Sequence, residues 1–252
     1  MFMKTIIILL ALTFSLQAIA QIEVGDKQLF GNYLRQQITE TSKAPYKYVG
    51  ALGTSCTATL IGPKHIITAA HCVYDFYAKQ WNTYLFFMPR QIENGEYPFG
   101  RIKATKLLLQ KEFIENGDPS FDFAVVELAE PIGNKVGWAK FQVVTNETSL
   151  KQVRITGYPE DEILDTMWSV TCPASIKGTQ LIYKCDTFNG MSGSSIFSTT
   201  GSGAEETIRG IHAWGTSESN GGAVINQKNL EIITAWMNGL NYSANTLVKE
   251  IK

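Results

Sequence analysis

The chain has 252 residues, 44% of them hydrophobic and 18% charged, with a formal net charge of −1. That is the balance of an ordinary globular protein, long enough for one large β domain or two smaller ones. A near-neutral charge with no basic run gives no electrostatic reason for nucleic acid or anionic lipid as a partner, and neither is expected.

The first element is a leader. Lys4 precedes an apolar run over 5–16, and Ala18, Ile19 and Ala20 supply the small-x-small site at which such leaders are cut. Residues 1–20 are predicted to be a cleaved signal peptide, which sends the protein to a periplasm or out of the cell. The run is short for a membrane span, so no stable anchor is expected. Export gives the cysteines their meaning. Cys56, Cys72, Cys172 and Cys185 are even in number, and in an oxidising compartment they form two disulfides. Three connectivities are open; pairing Cys56 with Cys72 and Cys172 with Cys185 closes two short loops and is the one expected. Zinc is the rival use of these residues. There is no Cys-x-x-Cys, and no histidine has a His-x-x-x-His partner, so no metal site is expected.

Residues 21–44 are polar and without period, and they read as an N-terminal arm or short propeptide. From Tyr46 the character changes. Runs rich in Val, Ile, Thr, Tyr and Phe cover 48–52, 57–61, 65–69, 84–88, 123–128, 153–158, 167–171, 181–185 and 207–214. They alternate with Gly, Pro, Asn and Asp clusters, the spacing of an all-β sandwich or barrel. Near the end, Leu230, Ile233, Trp236, Met237 and Leu240 fall at three- and four-residue steps, with Gly239 placed as a stop. That pattern predicts one amphipathic C-terminal helix. The stretch 130–134, Glu-Pro-Ile-Gly-Asn, is a natural link, so 45–135 and 136–252 are taken as two β units, the second carrying the helix.

Three segments carry the chemistry. In "TAAHC", His71 is followed by Cys72, and a disulfide back to Cys56 would pin the strand ends around it. A general base needs such a fixed orientation, whereas a lone histidine in a β protein is more often structural. In "CDTFNGMSGSSIF", Ser192 lies between Gly190 and Gly193. Glycines allow a tight positive-φ turn, in which the N–H groups of Gly190 and Ser192 can converge on one oxyanion. A Gly/Ser loop alone is a weak signal. In "SFDFAVVEL", Asp122 enters an apolar strand and needs a partner such as a histidine N–H. Asp118 is its rival, and a solvated turn residue is the bland alternative.

Together the three follow the order His…Asp…Ser, one known triad arrangement. At this point the sequence resembles the chymotrypsin-like serine proteases, and within them the bacterial glutamyl endopeptidase branch. The resemblance runs from about Tyr46 to Asn238 and rests on "IGPKHIITAAHCVYD", "FDFAVVELAEPIGNKVGW", "VRITGYPED", "DTFNGMSGS" and "GIHAWG". It implies an all-β fold of two packed β-barrels with a C-terminal α-helix, the site in the cleft between them, and no cofactor. It implies a serine endopeptidase with Ser192 as nucleophile, His71 as base and Asp122 as the group that orients it. The partners would be protein or peptide substrates, and a monomer is expected.

The same resemblance gives specificity residues. Ala213, Trp214 and Gly215 match the strand that pairs with substrate backbone. His212 and Thr187 match a pocket that binds a glutamate carboxylate at P1, the residue before the cut bond. Asp186 pulls the other way, because an aspartate six residues before the nucleophile selects Arg or Lys in trypsin-like enzymes. Two alternatives therefore stand beside cleavage after Glu or Asp: the same triad with basic specificity through Asp186, and an inactive protease-fold binding protein.

Overall fold

The computed structural model describes residues 29–53, 55–91, 96–145, 148, 150–198, 205–240 and 244–251. The expected signal peptide and the start of the arm lie outside the described residues. Strand β1 is Gln36–Gln37 in the arm. Then follow β2 (Val49–Leu52), β3 (Cys56–Leu60), β4 (His65–Thr68), β5 (Tyr74–Asp75), β6 (Gln80–Trp81), β7 (Phe86–Pro89), β8 (Ile102–Gln110) and β9 (Ala124–Leu128). Helix α1 (Lys111–Asn116) lies between β8 and β9, and α2 (Gly133–Val136) falls in the predicted link. The second half holds β10 (Val153–Gly157), β11 (Trp168–Cys172), β12 (Ala174–Lys177), β13 (Gln180–Tyr183), β14 (Ser195–Ser198), β15 (Thr207–Gly215) and β16 (Asn220–Val224). Helix α3 (Gln227–Met237) and strand β17 (Thr246–Glu250) complete the order.

The β architecture agrees with the sequence, but the two sheets are not alike. Among the described residues the first runs β17-β8-β7-β2-β3-β4-β9, and β9 pairs back onto β8, which closes a barrel. The second runs β1-β11-β10-β14-β15-β16-β13-β12 without a closing pair, a curled half-barrel where a second barrel was expected. The cause is local. β12 at one edge and β11, beside β1 at the other, are one stretch of chain broken at Pro173. Proline has no N–H to give a ladder, and beyond it the chain leaves β10 and turns to β13.

The chain ends also cross the expected division at residue 135. β1, from the arm, pairs with β11 of the second sheet, while β17, after the helix, pairs with β8 of the first. α3 starts where the Asn226 side chain accepts the Asn229 N–H at 2.8 Å, a capping bond. Its buried face is Asn229, Ile232, Ile233 and Trp236. Leu240, counted in the predicted face, lies beyond Gly239 and is 60% exposed. Trp236 packs on Phe123 at 5.9 Å, so the helix seals the end of the barrel that carries β9. A smaller apolar cluster, including Val153, Ile155, Leu181 and Ile196, fills the curled sheet.

Both expected disulfides form, Cys56–Cys72 and Cys172–Cys185. The first spans 16 residues and ties β3 to the turn after β4. Closing a loop of about that length restricts the unfolded chain by roughly 3 kcal/mol. The double variant Cys56→Ser/Cys72→Ser is therefore expected to lose about that much stability in urea unfolding. A loss well under 1 kcal/mol would mean that the bridge does not constrain the unfolded chain.

Candidate active site

The local sequence explains how His71 is placed. β4 ends at Thr68, Ala69 continues extended, and residues Ala70–Cys72 form one 3₁₀ turn that carries the imidazole out of the sheet. Ala69 and Ala70 are fully buried, because the loop around Gly193 lies directly on them. A Cβ on Gly193 would collide with Thr68 Oγ1 and the Thr57 carbonyl, and would come 3.0 Å from the Ala69 nitrogen. Larger side chains in place of those alanines would compete for the same space.

Asp122 follows the 3₁₀ turn Pro119–Phe121 and is buried. It grips His71 at two points: Oδ1 accepts the His71 backbone N–H at 3.1 Å, and Oδ2 lies 2.9 Å from ring Nδ1. The rival, Asp118, is occupied in capping that turn, its carboxylate accepting the Ser120 N–H at 2.9 Å. Burial pushes the His71 imidazole down from its ordinary 6.5. The Asp122 charge and hydrogen bond together push harder, and the net shift is upward.

Ser192 sits in a loop whose backbone is almost fully used. Met191 N–H donates to Phe188 O (3.0 Å), Gly193 N–H to His212 O (2.8 Å) and Ser194 N–H to Met191 O (3.0 Å). Among the described residues the N–H groups of Gly190 and Ser192 donate to no acceptor, so this loop has two donors to spare. Gly190 has φ +92°, and a Cβ there would strike the Tyr158 carbonyl. Both observations fit a turn that only glycine can make. The Ser192 carbonyl accepts the Thr57 N–H at 2.8 Å and lies 3.7 Å from Cys72 Sγ, in the residue after His71. Ser192 is partly exposed, and among the described residues its Oγ makes no hydrogen bond.

His212 lies beside the same loop. Its backbone N–H donates to Ser194 O at 2.9 Å while its carbonyl accepts from Gly193. The ring is buried, with Nδ1 2.6 Å from the Tyr183 hydroxyl. Burial first, and repulsion from His71 second, lower its pKa from 6.5 to about 4, against smaller upward effects of the Gly221 carbonyl and Asp122. Burial also pushes the Tyr183 phenol well above its ordinary 10. A neutral phenol and a neutral imidazole are both satisfied when the phenol donates to Nδ1, which leaves the ring proton on Nε2. Tyr183 escaped the sequence reading because nothing local to it marks a partner 29 residues away.

Thr187 is buried nearby in sequence, and Ala213, Trp214 and Gly215 end β15. A register shift between His212 and Trp214 sits opposite Gly221 and Gly222. A Cβ on Gly222 would meet the Ile211 carbonyl, and one on Gly221 the Trp214 ring, whose Nε1 donates to Gln180 Oε1 at 2.8 Å. This glycine pair was a missed signal; "NGGAV" reads as a turn, yet it is a strand that must pass close under β15.

Asp186 bears on one alternative. Its carboxylate accepts the Phe30 N–H at 2.6 Å and the Gly31 N–H at 3.1 Å, and its own N–H donates to Tyr33 O at 3.3 Å. The charge is spent on the N-terminal arm, not offered to an Arg or Lys side chain. Cys56, His71 and Cys72 bring possible metal-ligand atoms within 4.8 Å of one another. The two sulfurs, however, are bonded to each other and supply no thiolate.

Comparison with known proteins finds proteases. The sequence profile described as Trypsin matches residues 35–237. Glutamyl endopeptidase of Bacillus licheniformis is 31% identical over 223 residues, 84% of this chain and 70% of that protein. A Bacillus subtilis protein named extracellular metalloprotease is 30% identical over 224 residues, 83% of this chain and 70% of its own length. Among solved structures, a Glu endopeptidase in complex with MPD superposes with a TM-score of 0.74 and 28% identity, covering 85% of this chain and 99% of that one.

Proposed function

Because the chain belongs to the trypsin family and is a serine endopeptidase of chymotrypsin-like fold, we propose that it cleaves after glutamate, using Ser192, His71 and Asp122. The observation that carries the triad is the two-point grip of Asp122 on His71, set against a glycine loop with two unspent N–H donors. In this reading a bound substrate brings Ser192 Oγ and the His71 ring into line. His71 removes the hydroxyl proton as Oγ attacks the peptide carbonyl, and then gives that proton to the leaving amine. Asp122 holds Nδ1 as the donor side of the ring and stabilises the imidazolium. The N–H groups of Gly190 and Ser192 receive the oxyanion.

Glutamate as the P1 residue is supported by His212. The ring is uncharged when free, is pinned at Nδ1 by Tyr183, and has a proton on the other nitrogen for a carboxylate. Thr187 adds a hydroxyl, and Asp186, which would repel a glutamate, is turned to the arm. The strand end Ala213–Trp214–Gly215 is the segment on which substrate backbone would pair. Export of the protein is supported by the apolar leader, by two disulfides of the kind that persist in oxidising compartments, and by the extracellular naming of one relative.

The test is a set of peptides matched except at P1, with Glu, Asp, Arg, Lys, Phe or Ala there, and with the Ser192→Ala protein as blank. The expected result is the highest kcat/KM for Glu. Losing a hydrogen bond to a charged group costs about 1.5–3 kcal/mol, so His212→Ala is expected to lower kcat/KM for Glu about 10- to 100-fold and for Ala much less. A preference for Arg or Lys would sink the glutamate assignment.

A further inference from the structure

Glu160 is a carboxylate at the site that the mechanism above does not use. Its backbone N–H donates to Asn189 O at 2.8 Å, which straps it to the nucleophile loop. Its Cγ lies 3.2 Å from where a Cβ of Gly190 would be, so its stem rests on the residue assigned to the oxyanion hole. The side chain is exposed. Its acidic neighbours are engaged: Arg35 holds Asp161 at 2.6 Å and Glu162 at 3.1 Å, and Gln91 bonds Asp165. Among the described residues Glu160 alone of these four has no such partner.

Its side of the cleft follows from the proton path. His71 must face the leaving amine, so the chain just past His71 borders the leaving peptide. That border is Cys72, its disulfide to Cys56, and Thr57. Thr57 Oγ1 accepts the Tyr158 N–H at 3.2 Å and donates to the Gly190 carbonyl at 2.8 Å. Residues 158–160 are thereby built onto the leaving-group border, whereas His212 is tied to the loop past Ser192, through Ser194 O and the Gly193 N–H.

We infer that Glu160 selects a basic residue at the first or second position after the cut bond, P1′ or P2′. The inference rests on the catalytic reading of Ser192 and His71 but not on glutamate at P1. A charge at that position meets an unpaired carboxylate at the water-exposed edge of the site, so lysine gains and glutamate loses by comparable amounts. At low ionic strength this amounts to about a tenfold difference between Lys and Glu, shrinking as salt screens it.

The experiment uses internally quenched peptides carrying the best P1 residue from the series above, with Lys, Ala or Glu at P1′ and, separately, at P2′. The wild type is expected to favour Lys over Glu about tenfold at one of these positions in low salt, and by much less in 0.5 M NaCl, where screening shortens the reach of the charge. Glu160→Gln should bring the ratio close to one, Glu160→Lys should invert it, and Glu160→Asp should keep part of it. An unchanged ratio in Glu160→Gln, or no charge preference in the wild type, would overturn the inference while leaving the triad intact. Absence of hydrolysis for every P1 residue would instead overturn the catalytic reading, and this inference with it.

Discussion

Ser192→Ala is expected to remove hydrolysis, with kcat falling about 10⁶-fold, while the circular dichroism spectrum and urea midpoint stay unchanged. The two halves of that result have separate causes. Activity goes because the hydroxyl proposed as the nucleophile is gone. The fold stays because Oγ bonds to nothing among the described residues; the loop is held by its backbone, through Met191, Gly193 and Ser194. A few thousandfold of acceleration over water should survive, since the oxyanion donors remain. Retention of substantial kcat would mean that another group is the nucleophile, and loss of the urea midpoint would mean that Ser192 is structural.

Asp122→Asn is the second large effect, about 10⁴-fold in kcat, and it carries a pH signature. In the proposed mechanism His71 works only as the neutral ring, so activity should rise as pH climbs through its pKa, which Asp122 holds above 6.5. Asparagine removes the charge that raises it and leaves the burial that lowers it. The acid limb of kcat/KM should therefore move to lower pH, even as the plateau collapses. Stability carries the same sign. The raised pKa of His71 stabilises the fold below pH 6.5, and that contribution is lost as pH rises through the folded value. His212 runs oppositely: its contribution is present above 6.5 and is lost as pH falls towards about 4. A profile whose acid limb does not move in Asp122→Asn would show that the limb belongs to a different group.

The legible parts of this protein were those in which a residue's role is declared by its immediate neighbours. His71 follows two alanines and precedes a cysteine, and Ser192 stands between Gly190 and Gly193, but only their order with Asp122 set them apart from a structural histidine and a common Gly/Ser loop. The choice between Asp122 and Asp118 could not be read there, because it turns on which carboxylate caps the Pro119–Phe121 turn. Asp186 was left open for a similar reason. Its partners are backbone N–H groups some 155 residues upstream, and a backbone N–H has no letter. The two-barrel fold came from the resemblance and not from the strand pattern, because alternating runs announce strands but not how their last pairs are made. β16 hid behind its glycines, and β17 behind the assumption that the helix ended the fold.

The crossing of the chain ends has a consequence for a molecule that cuts peptides. To be cut, a segment must be drawn out singly and laid along β15 as an added strand. Polypeptide ends are ordinarily where such segments come free, and so where nicking begins. Here the 36–37 and 246–250 segments already have neighbours along a sheet edge, each in the half of the molecule opposite to its own. Freeing either one means breaking its ladder to a sheet of the opposite half. Strand pairing thus makes these two segments poor candidates for self-cleavage.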